Sequence, residues 1–479
     1  MKRASANGRL IRANEGRSGQ ESVRTAAVWI VERTLASRAR VDNFLVGVAE
    51  GFDERDQGLL REIVLGTLRW LKRLDDVLVR ASGRKFDQVQ SDLLGVLRVA
   101  IYQLLFLDRV PPHAVVSEAV DQALRRSHRG AASFVNAVLR RIARDANLEA
   151  WPVDAATLVE RLAIETSHPE ILVRRWLDRY GEGETRALLD ANNRPKPMHL
   201  LAFRGKGGRE LLAERLIDEG IELFPSRISP LGLIVKEGQP HRTAAFRRGE
   251  FYIQDEAGQA AALIPRPRPG ERVLDVAASP GGKGLALLAA EPGVALTVAD
   301  LALDRVVTLA SNHRRLGGTS RIVAASAAQS PFRDGFDRVL VDYPCTGTGT
   351  LRKHPELKWR WSLGELSRLS DQALAMLLGA ANAVAPDGLL VAISCSLEPE
   401  ENEDVGRRFL ERRGSFERVA LEAHVEARDR GRITECGVFR YLTGDDHDGY
   451  TVQAFARRTA SEAPSRVRGQ VAEGRESLY

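Results

Sequence analysis

The spacing of apolar residues divides the chain into three textures. Between residues 21 and 147 they recur three and four apart, in "SVRTAAVWIVERTLA", "RDQGLLREIVLGTLRWLKRLDDVLVR", "SDLLGVLRVAIYQLLFL" and "ASFVNAVLRRIARDA". This periodicity predicts amphipathic helices whose stripes pack on one another. Gly83 in "ASGRKF" and the Pro111–Pro112 pair in "VPPHAVV" supply the stops between them. A helical bundle over 21–150 is therefore expected. Residues 151–245 begin with more helical spacing in "EILVRRWLDRYGEGETRALLDANN". They then alternate strand, helix and strand through "PKPMHLLAFR", "GRELLAERLIDEGIELF" and "GLIVKEG". That order predicts a small α/β insert reached through the linker "NNRPKP". Over 246–458, β-rich runs such as "ERVLDV", "VALTVAD", "TSRIVAAS", "FDRVLVD" and "GLLVAISCS" alternate with helical stretches of ten or more residues. This is the pattern of a mostly parallel sheet with helices on both faces, a Rossmann-like α/β domain. Residues 1–20 read as a basic flexible tail, and 459–479 as a polar, aperiodic and disordered one.

Composition narrows the class. A chain of 479 residues, 44% hydrophobic and 28% charged, is too long for one core and is built to fold. It holds no window of about 18 uncharged apolar residues, as a membrane span requires. The first twenty residues lack the apolar middle segment of a secretory signal. A cytoplasmic, monomeric protein is expected. Three cysteines, Cys345, Cys395 and Cys436, are too few for a disulfide framework or a closed zinc site, so no metal is expected. Charge is uneven along the chain. Residues 1–150 carry 25 Lys and Arg against 18 Asp and Glu, whereas the whole chain carries 70 against 64. The positive excess lies in the helical third, which suits a module that grips a polyanion; an arginine-rich solvated surface is the plainer alternative.

In an open parallel sheet, ligands bind beyond the carboxyl ends of the strands, and four such ends carry polar or reactive groups. The first is "VLDVAASPGGKG", where Gly281 and Gly282 let the backbone approach a ligand ahead of a helix N-terminus. Neither the P-loop spacing nor the G-x-G-x-x-G fingerprint is present. The second end carries Asp300, a carboxylate placed for ribose hydroxyls, or alternatively for capping the following helix. Together they indicate an adenosine-bearing cofactor, with S-adenosylmethionine favoured over a nicotinamide. The third end delivers Asp342 and, past Pro344, Cys345; the fourth delivers Cys395. A single buried cysteine is usually an inert hydrophobe, but two at one sheet edge point to a shared pocket. Two thiols, a carboxylate and a methyl donor suit methylation at carbon 5 of cytosine. There a thiolate adds to carbon 6, making carbon 5 nucleophilic, and a second thiol aids release. His354 reads first as a satisfied or solvated histidine and only second as a base, Glu400, Glu401 and Asn402 read as the start of a helix, and Cys436 as structural.

Several motifs resemble known families. "YQLLFLDRVPPHAVVSEAVDQAL" followed by "FVNAVLRRI" resembles the NusB-type RNA-binding domain. "FYIQDEAGQAA", "DVAASPGGK", "DYPCTGTGTLRKHPELKW" and "SCSLEPEENE", in that order, resemble the RNA cytosine carbon-5 methyltransferases of the NOL/Sun type. The resemblance implies Cys395 as nucleophile and Cys345 as the thiol of product release. It implies a cofactor loop of Ala277, Ala278, Ser279, Pro280, Gly281, Gly282 and Lys283, with Asp300 on the ribose and Asp342 beside methyl donor and base. It also implies 16S ribosomal RNA, free or in an assembling small subunit, as partner. The chain departs from the family at three places: Ala277 stands where the loop usually begins with cysteine, Ser326 where an aspartate commonly meets the adenine, and Tyr343 at a position that is often small. A DNA cytosine methyltransferase, which would attack with Cys345, and a non-catalytic RNA-binding factor are the competing readings.

Overall fold

A computed structural model describes residues 22–333, 335–444 and 446–458. The expected tails at 1–20 and 459–479 lie outside the described residues. Among the described residues seven helices build the N-terminal bundle: Val23–Ala36, Asp42–Ala49, Glu54–Arg69, Leu71–Ser82, Ser91–Phe106, Pro112–Arg126 and Arg129–Arg144. Their ends follow the local chemistry. Ser22 and Asp53 cap two N-termini through their side chains, Gly83 closes a helix in the left-handed region, and Pro112 opens one at its first turn. The stripes meet in one core that includes Ile30, Ile63, Leu78, Leu97, Val135 and Leu139.

The middle region departs from the simple strand, helix and strand order. After a helical stretch, Glu170–Asn193, broken by a kink at Gly181 in positive-φ backbone, four strands form an antiparallel sheet: β1 (Met198–Ala202), β2 (Glu222–Pro225), β3 (Gly232–Glu237) and β4 (Phe251–Ile253), in the order β2-β3-β1-β4. Helix Gly208–Asp218 packs on it through Leu212 and Leu216. The expected boundary at 245/246 falls between β3 and β4, which belong to this one sheet. The "FYI" of the lead-in motif is β4, and the same motif continues into helix Glu256–Leu263, capped by Asp255.

The C-terminal domain contains β5 (Arg272–Asp275), β6 (Ala295–Asp300), β7 (Arg321–Ala324), β8 (Phe336–Asp342), β9 (Val384–Ser394), β10 (Phe416–Arg418), β11 (Phe439–Tyr441) and β12 (Tyr450–Arg457). They make one sheet in the order β10-β12-β9-β8-β5-β6-β7, with β11 on β12. The strands β7, β6, β5, β8 and β9 run parallel, whereas β10 and β12 add on antiparallel beyond β9. The sheet is therefore mixed, and the parallel pattern visible in the sequence covers only its first five strands. The chain winds outward from β5 through β6 to β7, then returns to the other side of β5 with β8. That reversal opens a crevice at the strand ends. Helices bury both faces, through Leu377, Val405 and Phe409 on one side and Leu287, Leu309 and Ala261 on the other.

The bundle is joined to the C-terminal sheet by the stretch after Cys345. Trp359 Nε1 donates to the Leu68 carbonyl at 2.6 Å, Arg360 donates to the carbonyls of Thr34 and Arg38, and Val41 N donates to Glu356 Oε1. Lys358, fully buried, donates to Arg69 O, Ser167 O and Asn193 Oδ1. Burial and the Arg69 charge push its pKa well down, yet three oxygen acceptors match the three N–H bonds of an ammonium.

Candidate active site

Register brings the two thiols together. Asp342 at the end of β8 pairs with Ile393 of the parallel β9, so Cys345 and Cys395 leave adjacent strands at one edge. Their Sγ atoms stand 3.2 Å apart, and both are free, half-buried thiols. Backbone closeness holds this geometry. Gly349 N donates to the Cys395 carbonyl at 2.8 Å and Gly449 N to the Gly349 carbonyl at 2.7 Å. Gly347 turns at φ +69°, in the left-handed region. Glu401, buried, accepts from Thr346 N at 2.7 Å and from Thr346 Oγ1 at 2.6 Å, so it fixes the residue next to Cys345. Burial lifts its carboxyl to about 7, against the hydrogen bonds from Ser396 and Thr346 that lower it.

The electrostatics separate the thiols. The hydrogen bond between the two sulfurs, in which either can donate, lowers the pKa of Cys395 against the burial that would raise it, with Asp342 opposing and Lys283 and Arg40 assisting. The same contact, followed by burial, pushes Cys345 well up. Ionisation is therefore favoured at Cys395 over Cys345. Beside them Lys283 Nζ lies 2.5 Å from Asp342 Oδ2 and 5.2 Å from the centre of the Tyr450 ring. Burial disfavours the lysine's charge, but Asp342 and its other neighbours outweigh that and hold it above its ordinary value.

The glycine-rich loop lies where the sheet reverses. Ala278 N donates to Ala299 O, and Ser279 N to Asp300 Oδ2 at 3.2 Å. Gly281 sits at φ +115° and precedes helix Gly282–Ala290. Asp275 anchors that helix by accepting from Gly284 N at 3.1 Å; burial, helped by the Asp342 charge, lifts its carboxyl to about 7. Asp300 also accepts from Ala302 N, within its own turn; the helix that follows begins from Ala302 with no side-chain cap. Immediately after it, Leu301, Leu303 and Val307 are 71%, 72% and 69% exposed. An apolar face beside a carboxylate at a loop that tolerates close backbone approach is what an adenosine needs, so the residues present fit such a group.

Of the residues singled out in the sequence, Cys345, Cys395, Asp342 and Lys283 converge, and the Ala277–Lys283 loop meets Asp300. Ser326 lies at the end of β7 with its hydroxyl accepting from Gln329 N. Tyr343 is buried with its hydroxyl donating to Glu401 O, so its bulk fills the interior. His354 is buried and held neutral, chiefly by desolvation and secondly by Arg40; it faces the bundle. Glu400 pairs with Arg175 at 2.7 Å, Glu401 ends a short 3-10 turn, and the helix proper starts at Glu403. Cys436 is exposed, not structural filler. The exposed apolar face at Leu301 and the Glu401 clamp escaped sequence reasoning; the "ENE" run after Cys395 was the available signal for the second.

Comparison with known proteins agrees with this architecture. Residues 262–454 match the model of the 16S rRNA methyltransferase RsmB/F family, residues 21–144 the NusB family, and residues 168–242 the ferredoxin-like domain of RsmF/B-like methyltransferases. The chain is 33% identical over 404 residues to a probable ribosomal RNA small subunit methyltransferase B of Bacillus subtilis, covering 83% of this chain and 90% of that protein. It is 33% identical over 394 residues to ribosomal RNA small subunit methyltransferase B of Pseudomonas syringae pv. tomato, covering 81% and 86%. In fold it resembles a methyltransferase homolog protein from Pyrococcus horikoshii, with a TM-score of 0.53 at 21% identity over 63% of this chain and 100% of that one. Among the described residues no helix is long and apolar enough to cross a membrane. The helical front, the ferredoxin-like insert and the methyltransferase sheet thus occur in one order, and the chain belongs to the RsmB/F family of 16S rRNA methyltransferases.

Proposed function

We propose that the protein transfers a methyl group from S-adenosylmethionine to carbon 5 of a cytosine in 16S rRNA, through a covalent bond between Cys395 and carbon 6. The observation that carries this reading is the 3.2 Å approach of the two thiols beside the Lys283–Asp342 pair. S-adenosylmethionine supplies an electrophilic methyl group. The Ala277–Lys283 loop, Asp300 and the apolar face at Leu301 are the residues that would hold it, with Ser326 near the adenine.

The chain's own residues carry the rest. Cys395, with its lowered pKa, adds as a thiolate to carbon 6, and the ring's electron density shifts toward carbon 5 and nitrogen 3. Asp342 accepts a hydrogen bond from the exocyclic amine, and the Lys283 ammonium sets a positive charge beside the ring as charge develops there. Carbon 5 takes the methyl group. Its proton then leaves to solvent in the cleft, the pair from that bond restores the carbon 5–carbon 6 double bond, and the Cys395 sulfur departs. The Cys345 S–H stabilises the departing thiolate by the same hydrogen bond it makes at rest. Attack by Cys345 in place of Cys395 is disfavoured because that thiol is held protonated.

The test is nucleoside mass spectrometry of 16S rRNA incubated with the protein and methyl-labelled S-adenosylmethionine. Label in 5-methylcytidine is expected. Label confined to any other nucleoside would overturn the assignment of carbon 5.

A further inference from the structure

The helical domain brings a cation close enough to act on the thiol pair. Its loop between Val23–Ala36 and Asp42–Ala49 is fixed to the catalytic chain, because Arg360 donates to the carbonyls of Thr34 and Arg38 and Val41 N donates to Glu356. That places Arg40 with Nη1 3.3 Å from His354 Nε2. The imidazole is neutral, so it accepts this hydrogen bond without cancelling the arginine's charge. No carboxylate lies within ion-pair distance of the Arg40 guanidinium among the described residues. Arg40 is exposed, and it is close enough to Cys395 for its charge to act on the thiol.

Next to His354 stands Lys353, eight positions beyond Cys345. Its backbone is held by a bond from Lys353 N to Thr350 O at 3.0 Å. Its side chain is exposed, and its ammonium makes no hydrogen bond or ion pair among the described residues. Burial, then the Lys196 charge, lowers its pKa, with Asp448 and Asp42 opposing and Arg40 assisting; Lys196 itself is engaged with Asp255 at 2.8 Å and with Asp448. Two cations without carboxylate ion pairs, one from each domain, are therefore close enough to act on each other, at the turn that runs from Gly347, whose Cβ position is 3.9 Å from Cys395 Sγ, through Thr350 to Lys353. Exposed cations are ordinarily scattered among acids; a pair locked by a buried joint at the mouth of a cleft suits an anion that arrives with the substrate.

We propose that Arg40 and Lys353 form a phosphate-binding pair that seats the RNA backbone next to the nucleotide entering the thiol cleft. The helical domain thereby completes the target site in addition to adding general affinity. This rests on the reading of the cleft as an RNA methylation site. Arginine and lysine both bind phosphate oxygens, the one through its planar fork and the other as a point charge.

The test uses the full chain and a protein-free 16S rRNA transcript. The dissociation constant is measured against salt for wild type, for the double variant Arg40→Gln with Lys353→Gln, and for the charge-conserving Arg40→Lys with Lys353→Arg. Each phosphate contact on a single strand contributes a log–log slope of about 0.7. The neutral double variant should lose about 1.4 from the slope, and the charge-conserving one should keep most of it. At saturating RNA the neutral variant should also transfer methyl groups at least about tenfold more slowly, because the target is no longer seated. An unchanged slope, or an unchanged saturated rate in an enzyme that methylates, would overturn the proposal. The slope is read without any methyl transfer, so a wild-type protein that leaves cytosine unmethylated sinks the functional reading alone.

Discussion

Gly349 N donates to the carbonyl of Cys395 at 2.8 Å, tying the turn that carries Cys345 directly to the strand end that carries its partner. A Cβ at Gly349 would lie 2.9 Å from that carbonyl oxygen and closer still to the carbonyl of Gly449. Both obstacles are backbone, so neither can swing aside. Gly349→Ala should cost about 1–3 kcal/mol and lower methyl transfer well beyond what the stability loss explains. Denaturant melts beside single-turnover rates check this; a variant with wild-type rate would show that the turn is not fixed through this contact.

The hydrogen bond with Cys345 is what lowers the pKa of Cys395 first, ahead of Lys283 and Arg40. In wild type Cys395 should therefore be alkylated by iodoacetamide at lower pH than the free-thiol value of about 8.5, and ahead of Cys345. Cys345→Ala removes the donor and should shift the alkylation midpoint of Cys395 upward. Peptide mass spectrometry across a pH series reads both effects, and a midpoint unmoved by Cys345→Ala would contradict the pairing.

Glu401 is buried and its carboxyl is raised to about 7 from an ordinary 4.5. The folded state thus prefers the protonated form. The stability that preference provides is fully present below about pH 4.5 and is lost as pH rises through about 7. Glu401→Gln stays neutral throughout. Its stability relative to wild type should improve between about pH 5 and about pH 8, by no more than about 3 kcal/mol. Urea melts at several pH values measure the difference, and a difference that does not vary with pH would contradict a buried, uncharged Glu401.

Lys358 holds three acceptors, one from the bundle, one just before the helical stretch Glu170–Asn193 and one at that stretch's last residue: Arg69 O, Ser167 O and Asn193 Oδ1. Lys358→Met leaves those buried oxygens unsatisfied. A loss of roughly 1–3 kcal/mol is expected, with calorimetric unfolding of bundle and catalytic domain separating into two transitions. A single unchanged transition would show that the domains are coupled elsewhere.

Much of this was legible in the sequence because it depends on local periodicity and turn chemistry. The bundle follows from apolar stripes and the stops at Gly83 and Pro112, and the thiol cleft from Cys345 and Cys395 each closing a strand. The antiparallel strands β10, β11 and β12 were not legible. β10 and β11 are three residues long, and they are strands by virtue of pairing with β12, which no local pattern encodes. The same holds for β4, whose three residues join the insert's sheet across a distance in sequence. Glu401 was misread for a related reason: acidic residues at a helix start have an obvious local role, whereas its contact with Thr346 spans 55 positions. Arg40 carries no motif at all and gains its place from the packing of two domains.

The division of labour between the thiols is tested most directly by incubating 16S rRNA with S-adenosylmethionine and each cysteine variant, then resolving the mixtures under denaturing conditions. Cys345→Ala should accumulate a protein–RNA adduct that survives denaturation, because the nucleophile bonds and is not released. Cys395→Ala should form no adduct and transfer no methyl group. An adduct from Cys395→Ala, with none from Cys345→Ala, would contradict the account.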